Sequence, residues 1–251
     1  MSRLAERIRK TSRVEAAHLG FGPAVQRATN ATMLAGARVE TNEASKTGDA
    51  AARGADFVIV DGGDAGKLKD HRAKAGDVII GARVEKADRN AVRKLVEAGA
   101  DFIVLDAATG LAEATLEDKP GYALVLSGEE DDTRLRLLSE LGLEALIVDA
   151  PESPVTIERM LRLRRIAALA RTPLLVEADG NSDASLLQVL RDSGAAGVIV
   201  TAGAIGKVAE LREKIAALPA RGKKRYEERS EATIPAAVMA GHDHDDDDYD
   251  D

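Results

Sequence analysis

Seven carboxylates in this sequence stand at or just after the ends of short apolar runs: Glu40, Asp61, Glu85, Asp106, Asp149, Glu177 and Asp179. Ser127 and Thr201 hold the matching place in two further runs. If those runs are strands of one closed sheet, the acids converge on one mouth. Oxygen donors of this kind suit a hard cation such as Mg2+ or Mn2+. A carboxylate crowded by others also keeps its proton to higher pH, which suits general acid or base work. Glu85, Asp106 and Glu177 are the candidate metal ligands, and together with Glu40 the candidate catalytic groups. For Asp61, Asp106 and Asp149 a structural reading is equally good, because Asp after a strand commonly caps the next helix. Glu is a poor cap, so Glu40, Glu85 and Glu177 read as functional.

Arg38 and Arg83 precede Glu40 and Glu85 by two residues. Residues two apart on a strand point the same way, so glutamates entering a barrel bring their arginines in one layer below. Buried arginine must be paired. An Arg–Glu network in the barrel core is the first reading, and bidentate capture of a substrate phosphate or carboxylate is the second. Two glycine-bearing loops add a further candidate site: Gly180-Asn181-Ser182, and Thr201 with Gly203 and Ala204. Glycine lets backbone N–H groups approach an oxyanion, and each loop leads into a helix whose N-terminus favours negative charge. Other chemistries lack their residues. There is no cysteine, and His18 and His71 are the only histidines before residue 242, neither at a strand end. A histidine triad or multi-histidine zinc site is therefore not expected. Lys86 is the nearest candidate for a Schiff base, and a surface lysine is its better reading.

Eight β-rich runs must position these groups: Met33–Glu40, Asp56–Asp61, Asp77–Glu85, Asp101–Asp106, Tyr122–Ser127, Ala145–Asp149, Pro173–Ala178 and Ala196–Thr201. Several are continuously apolar, as in Phe57-Val58-Ile59-Val60, which signals strands covered on both faces. Amphipathic helical patterns lie between them. Asp88 can cap one, ending at Gly99. Ser182 or Asn181 can cap another, ending at Gly194. The helix between Asp61 and Asp77 has the thinnest apolar face. Gly36-Ala-Arg-Val-Glu40 reappears 45 residues on at Gly81–Glu85, and Gly54-Ala-Asp-Phe57 reappears at Gly99–Phe102. Residues 36–61 and 81–106 share ten identities. Weaker copies at Gly142–Asp149 and Gly194–Thr201 suggest four strand–helix–strand–helix units. The fold expected is α/β, a (βα)8 TIM barrel over 30–218, with an open doubly wound sheet as the alternative. Residues 1–29 are a cap segment in which Leu4 and Ile8 place a short helix under the barrel. Residues 219–251 are a basic and then acidic tail expected to be disordered.

With that plan, the chain resembles the phosphate-binding, aldolase-type barrels of the ribulose-phosphate-binding superfamily. The resemblance covers the eight-strand plan and is best over residues 173–206, where Gly194-Ala-Ala-Gly197-Val-Ile-Val200 precedes the small-residue loop. It implies a phosphate held by the two loops. Where those families show two adjacent glycines after strand seven, this chain has Asp179-Gly180-Asn181. The function expected is a lyase or isomerase acting on a small anionic, phosphorylated metabolite. The alternative is a non-catalytic barrel serving as a binding scaffold. Flavin mononucleotide stays compatible, because its phosphate would use the same loops.

Composition narrows the partners. The formal charge is −8, yet His242–Asp251 holds seven aspartates and no Lys or Arg, so residues 1–241 sum to 35 − 36 = −1. A near-neutral body with few aromatics argues against nucleic acid. No apolar run approaches a membrane span, and Met1–Lys10 lacks the apolar stretch of a signal peptide. A soluble, cytoplasmic protein is expected. Self-association stays open, and the acidic run offers a tether for a basic protein partner.

Overall fold

The computed structural model describes residues 2–12, 32–149 and 154–219. Eight strands run β1 Leu34–Glu40, β2 Phe57–Asp61, β3 Ile79–Val84, β4 Phe102–Asp106, β5 Gly121–Leu126, β6 Ala145–Val148, β7 Leu174–Glu177 and β8 Ala195–Val200. All neighbours pair parallel in chain order, and β1 pairs with β8 to close the barrel. The helices are α1 Arg3–Ser12, α2 Ala44–Ala52, α3 Ala65–Ala75, α4 Arg89–Glu97, α5 Asp132–Leu138, α6 Ile157–Ala170, α7 Ala184–Asp192 and α8 Val208–Ala216. The barrel is closed as expected, and every predicted strand is present to within two residues at either end.

Continuous apolar runs serve two cores at once, because successive side chains leave a strand on opposite faces. Val58 and Val60 pack outward with Leu95, Leu190 and Leu211 of the helices. Phe57 and Ile59 pack inward with Leu34, Ile79, Phe102, Val104, Leu175 and Ile199. The same parity turns Gly36, Arg38, Asp61, Gly81, Arg83 and Glu177 inward.

The matching segments have a packing explanation. A Cβ on Gly36 would sit 2.3 Å from the Phe57 ring, and a Cβ on Gly81 would sit 2.3 Å from the Phe102 ring. Each glycine makes room in the barrel for the phenylalanine of the next strand. The two rings meet edge to face, 6.3 Å apart at 72°. Asp56 and Asp101, one residue earlier, accept from the backbone of Ala35 and Ile80 at 3.0 and 2.9 Å. Gly54 and Gly99 take φ of +80° and +106°, a turn that other residues resist.

The bottom is closed by α1. Leu4 and Ile8 join the interior cluster, while Arg7 and Arg3 reach Asp56 and Asp101 at 3.5 and 3.4 Å. The rest of the expected cap segment, residues 13–29, the first two residues of the expected barrel range, and the tail beyond Pro219 lie outside the described residues. So do the expectations of tail disorder and of a basic partner for it. Among the described residues no helix is long and apolar enough to cross a membrane.

Two local expectations change, and the least evident helix is present. The connection from β4 to β5 carries a 3-10 turn, Ala112–Leu116, in place of an α-helix. Gly110 folds back onto Asp106 there, N–H to carbonyl at 2.8 Å, and Pro120 stops any extension. The helix after β7 is capped by Asp183 rather than Asn181 or Ser182, its side chain accepting from Leu186 N at 2.7 Å. The thin-faced α3 is a full helix, capped by Asp64 and anchored by buried Leu68, His71 and Ala75. Asp88 caps α4 as expected.

Candidate functional site

The C-terminal ends of the strands gather charge from β1, β2, β3 and β7. Arg38 Nε lies 3.2 Å from Asp61 Oδ2, and Arg38 Nη1 is hydrogen-bonded to Glu177 Oε1 across the barrel interior. Arg83 Nη1 approaches Asp61 Oδ1 at 3.9 Å. These four side chains are 21 to 31 % exposed, so they are partly desolvated yet open to a ligand. Asp61 Oδ1 is buried and has no hydrogen-bond partner. Burial raises the Asp61 carboxyl above the usual carboxylate range. Arg38 and Arg83 pull it down, while Glu40 and Glu177 push it up further. Desolvation wins because the two guanidinium groups are shared or distant, and neither saturates the carboxylate.

The expected acids divide. Glu177 belongs to this cluster through Arg38. Glu40 ends β1 beside Asp61, is exposed, and acts on it through its charge. Glu85 stands exposed one residue past β3, and its carboxylate has no ion pair or hydrogen bond among the described residues. Asp106 closes a backbone turn rather than capping a helix: its Oδ1 accepts from Ala108 N at 2.8 Å and Thr109 N at 3.3 Å. Glu85, Asp106 and Glu177 form no three-carboxylate metal cluster. Among the described residues no group of three or more His, Asp or Glu side chains could hold a metal ion.

The two glycine loops are built differently from each other. After β7, Asp179 Oδ1 accepts from Asn181 N at 3.2 Å, and Ser182 Oγ donates to Asp179 O at 2.6 Å. Ser182 is buried, and Lys214 Nζ donates to its carbonyl at 3.1 Å. Gly180 is needed by the neighbouring loop, since a Cβ there would fall 2.8 Å from Ala204 Cβ. After β8, Ala204 N donates to Thr201 O at 2.9 Å, the Thr201 side chain makes no cap bond, and Gly203 faces open space. Of the two loops, Thr201–Ala204 is the less crowded at its glycine.

A cavity of about 610 Å3 lies beside α6, lined in part by Glu129, Asp149, Arg159, Arg162 and Arg165. Its arginines hold backbone: Arg159 donates to Asp149 O at 2.8 Å, Arg162 to Gly128 O, and Arg165 to Glu130 O at 2.6 Å. They fasten the loops after β5 and β6, and Arg165 also pairs with Asp132 at 2.7 Å.

From the sequence, Asp61 reads equally well as a helix cap and as a functional acid, and it is not among the candidate site residues. Its signal was its position between two strands that each carry an inward arginine.

No protein-family model matches the chain, and no curated protein does. Solved structures do. The orotidine 5'-phosphate decarboxylase of Pyrococcus horikoshii OT3 superposes with a TM-score of 0.59 at 15 % identity, covering 74 % of this chain and 100 % of that one. KGPDC of Streptococcus mutans gives 0.58 at 12 % identity, over 73 % and 97 %. The thiamine phosphate pyrophosphorylase of Pyrococcus furiosus gives 0.57 at 14 % identity, over 75 % and 98 %. At such identities the likeness is one of fold, and what these structures share with the chain is the closed eight-stranded barrel expected of the aldolase-type plan.

Proposed function

We propose that this barrel is an enzyme that binds a small anionic, phosphorylated metabolite in its mouth and moves a proton on it, a reaction of lyase or isomerase type. The observation that carries the reading is the Arg38–Asp61–Arg83–Glu177 cluster at the strand ends. Asp61 is the proton-transfer group of this scheme. A carboxyl raised by burial holds and releases a proton nearer neutral pH than a solvated one, and proton transfer is efficient when donor and acceptor are matched. Arg38 fixes Asp61 Oδ2 and leaves Oδ1 for the substrate. Glu177 orients Arg38. Glu40 and Glu85 sit at the rim, where they admit or repel charge. The Thr201–Ala204 loop takes the phosphate. Two of the similar barrels are named for phosphate-bearing substrates or products, and this supports the phosphorylated ligand.

A thermal-shift panel tests the reading with phosphate, sugar phosphates, flavin mononucleotide and Mg2+. A ligand at a hundred times its Kd stabilises by about 2.7 kcal/mol, which raises Tm by about 5–10 °C in a domain of this size. A shift with phosphate esters, followed by turnover that Asp61→Asn and Glu177→Gln abolish, is the expected result. A flat panel favours the non-catalytic scaffold, a reading that draws support from the use of Asp106 and Asp179 to close backbone turns.

A further inference from the structure

The mouth holds two guanidinium groups in unlike states. Arg38 is engaged on both sides, by Asp61 through Nε and by Glu177 through Nη1. Arg83 has one ion-pair contact, 3.9 Å from Asp61 Oδ1, and its guanidinium has no hydrogen bond among the described residues. That separation is beyond hydrogen-bond reach. Asp61 Oδ1, the oxygen it faces, is buried and bare. A planar fork of donors with nothing to hold thus stands beside a buried acceptor with nothing bound. The charges facing Asp61 are Arg38 and Glu40 from β1, Arg83 from β3 and Glu177 from β7. With Asp61 itself, three carboxylates share two cations.

We infer that an oxyanion of the ligand, a carboxylate or phosphate group, docks on Arg83 at the β2–β3 side of the mouth, and that Asp61 takes up one proton from solvent as it docks. The inference rests on the reading of the mouth as an anion site, and adds to the phosphate contact of the Thr201–Ala204 loop a second oxyanion contact, on Arg83, and the proton that accompanies it. Guanidinium matches carboxylate and phosphate oxygens with two parallel hydrogen bonds, a geometry that Asp61 at its present distance does not satisfy. The incoming anion draws Arg83 from Asp61 and adds negative charge to a cluster already short of cations. Glu177 keeps its hydrogen bond to Arg38. Asp61 is the group that yields, since burial already favours its neutral form. Once protonated it is a donor, and Oδ1 can hydrogen-bond the ligand that displaced its cation. One proton enters from water and none leaves.

The test is calorimetric titration of sodium sulfate into the full-length protein, in two buffers of different ionisation heat, across pH 5 to 8. The wild type is expected to take up as much as one proton per sulfate and to bind more weakly as pH rises. Arg83→Gln is expected to weaken binding at least about tenfold, the scale of a lost charge-assisted pair. Arg83→Lys, which keeps the charge and loses the fork, is expected to fall between. Asp61→Asn is expected to bind more tightly, without proton uptake and with little pH dependence. Melting curves confirm that each variant is folded, and Arg83→Lys with Asp61→Asn carry the test if Arg83→Gln is not. No sulfate binding by the wild type, equal binding by the Arg83 variants, or undiminished proton uptake in Asp61→Asn would overturn the inference. Sulfate binding that depends on Arg83, with no turnover of any phosphate ester, leaves it standing while the enzymatic reading falls. Turnover indifferent to Arg83 does the reverse.

Discussion

Gly81→Ala isolates the packing rule that the matching segments encode. The added methyl group would lie 2.3 Å from Phe102 Cζ and 2.5 Å from its Cε2. Ordinary carbon contacts begin more than about 1 Å further out, so the ring or the strand must move. Phe102 is fully buried, with Phe57 against its edge, and has nowhere to turn without disturbing the second pair. Overpacking of this kind costs about 1–3 kcal/mol. The backbone term opposes it. Gly81 has no positive φ, so alanine there restricts the unfolded chain and returns about 0.4–1 kcal/mol. The net expectation is a loss of about 1–2 kcal/mol, or about 3–7 °C in Tm for a domain of this size. Phe102→Leu removes the ring that the methyl would strike. In a double-mutant cycle by urea denaturation, Gly81→Ala and Phe102→Leu should therefore couple favourably by about 1 kcal/mol or more. Gly203→Ala, with nothing within 4 Å of its Cβ position, is the control and should stay within about 0.5 kcal/mol. Gly81→Ala as stable as wild type, or a cycle that is additive, would refute the account of the glycine–phenylalanine pairs.

Two further outcomes follow from single contacts. The Asp61 carboxyl is raised chiefly by burial, so its contribution to stability is fully present below its unfolded value of 3.8 and is lost as pH rises through the higher folded value. Asp61→Asn is accordingly expected to be more stable than wild type at pH 7, with the gain vanishing toward pH 4 in matched urea titrations; a loss at pH 7 would mean that the arginines outweigh desolvation. Thr47 and His71 are both fully buried, and His71 Nε2 lies 3.0 Å from Thr41 O. A carbonyl only accepts, so Nε2 carries the hydrogen and Nδ1 accepts from the Thr47 hydroxyl at 2.7 Å. Thr47→Val leaves that acceptor bare and should lower stability by about 1–3 kcal/mol in the same denaturation assay; an unchanged midpoint would reject the assigned tautomer.

The barrel was legible because strand identity here is a matter of hydrophobic continuity, which a sequence displays directly. Phe57–Val60 and Phe102–Leu105 can only be strands covered on both faces, and the shared Gly, Asp and Phe positions set their phase. The β4–β5 connection was misjudged because Gly110 and Pro120 act through a local backbone contact that outweighs the helical pattern between them. The site was legible to the level of parity. Arg38 and Arg83 were expected to enter the barrel with the glutamates, and they do. What parity does not carry is height along the barrel axis. Glu40 and Glu85 lie two residues beyond the arginines of their own strands and reach solvent, and the acid that meets both arginines is Asp61, which is level with Arg83 in the β2–β3 register and faces Arg38 from the next strand.

Asp61 and Asp106 sharpen that point, because they are the same residue of two matching segments, 45 positions apart, and both end a strand. Local sequence assigns them one role, yet the structure assigns two. Asp61 stands between β1 and β3: Arg83 is its register partner on β3, and Arg38, two residues before its β1 partner Glu40, reaches up to it with Nε at 3.2 Å. Asp106 stands between β3 and β5, and its partner in the β5 register is the apolar Val125. It has no second cation to draw it inward, and the Gly110 turn brings Ala108 and Thr109 N–H groups within reach of its Oδ1. It turns to them and closes that turn. The difference lies in the strand that follows each copy: β3 restates Gly-Ala-Arg-Val-Glu, and β5, Gly-Tyr-Ala-Leu-Val-Leu, does not. A repeated unit therefore makes the frame twice and the charged cluster once, at the only place where two arginine-bearing strands flank an aspartate among the described residues.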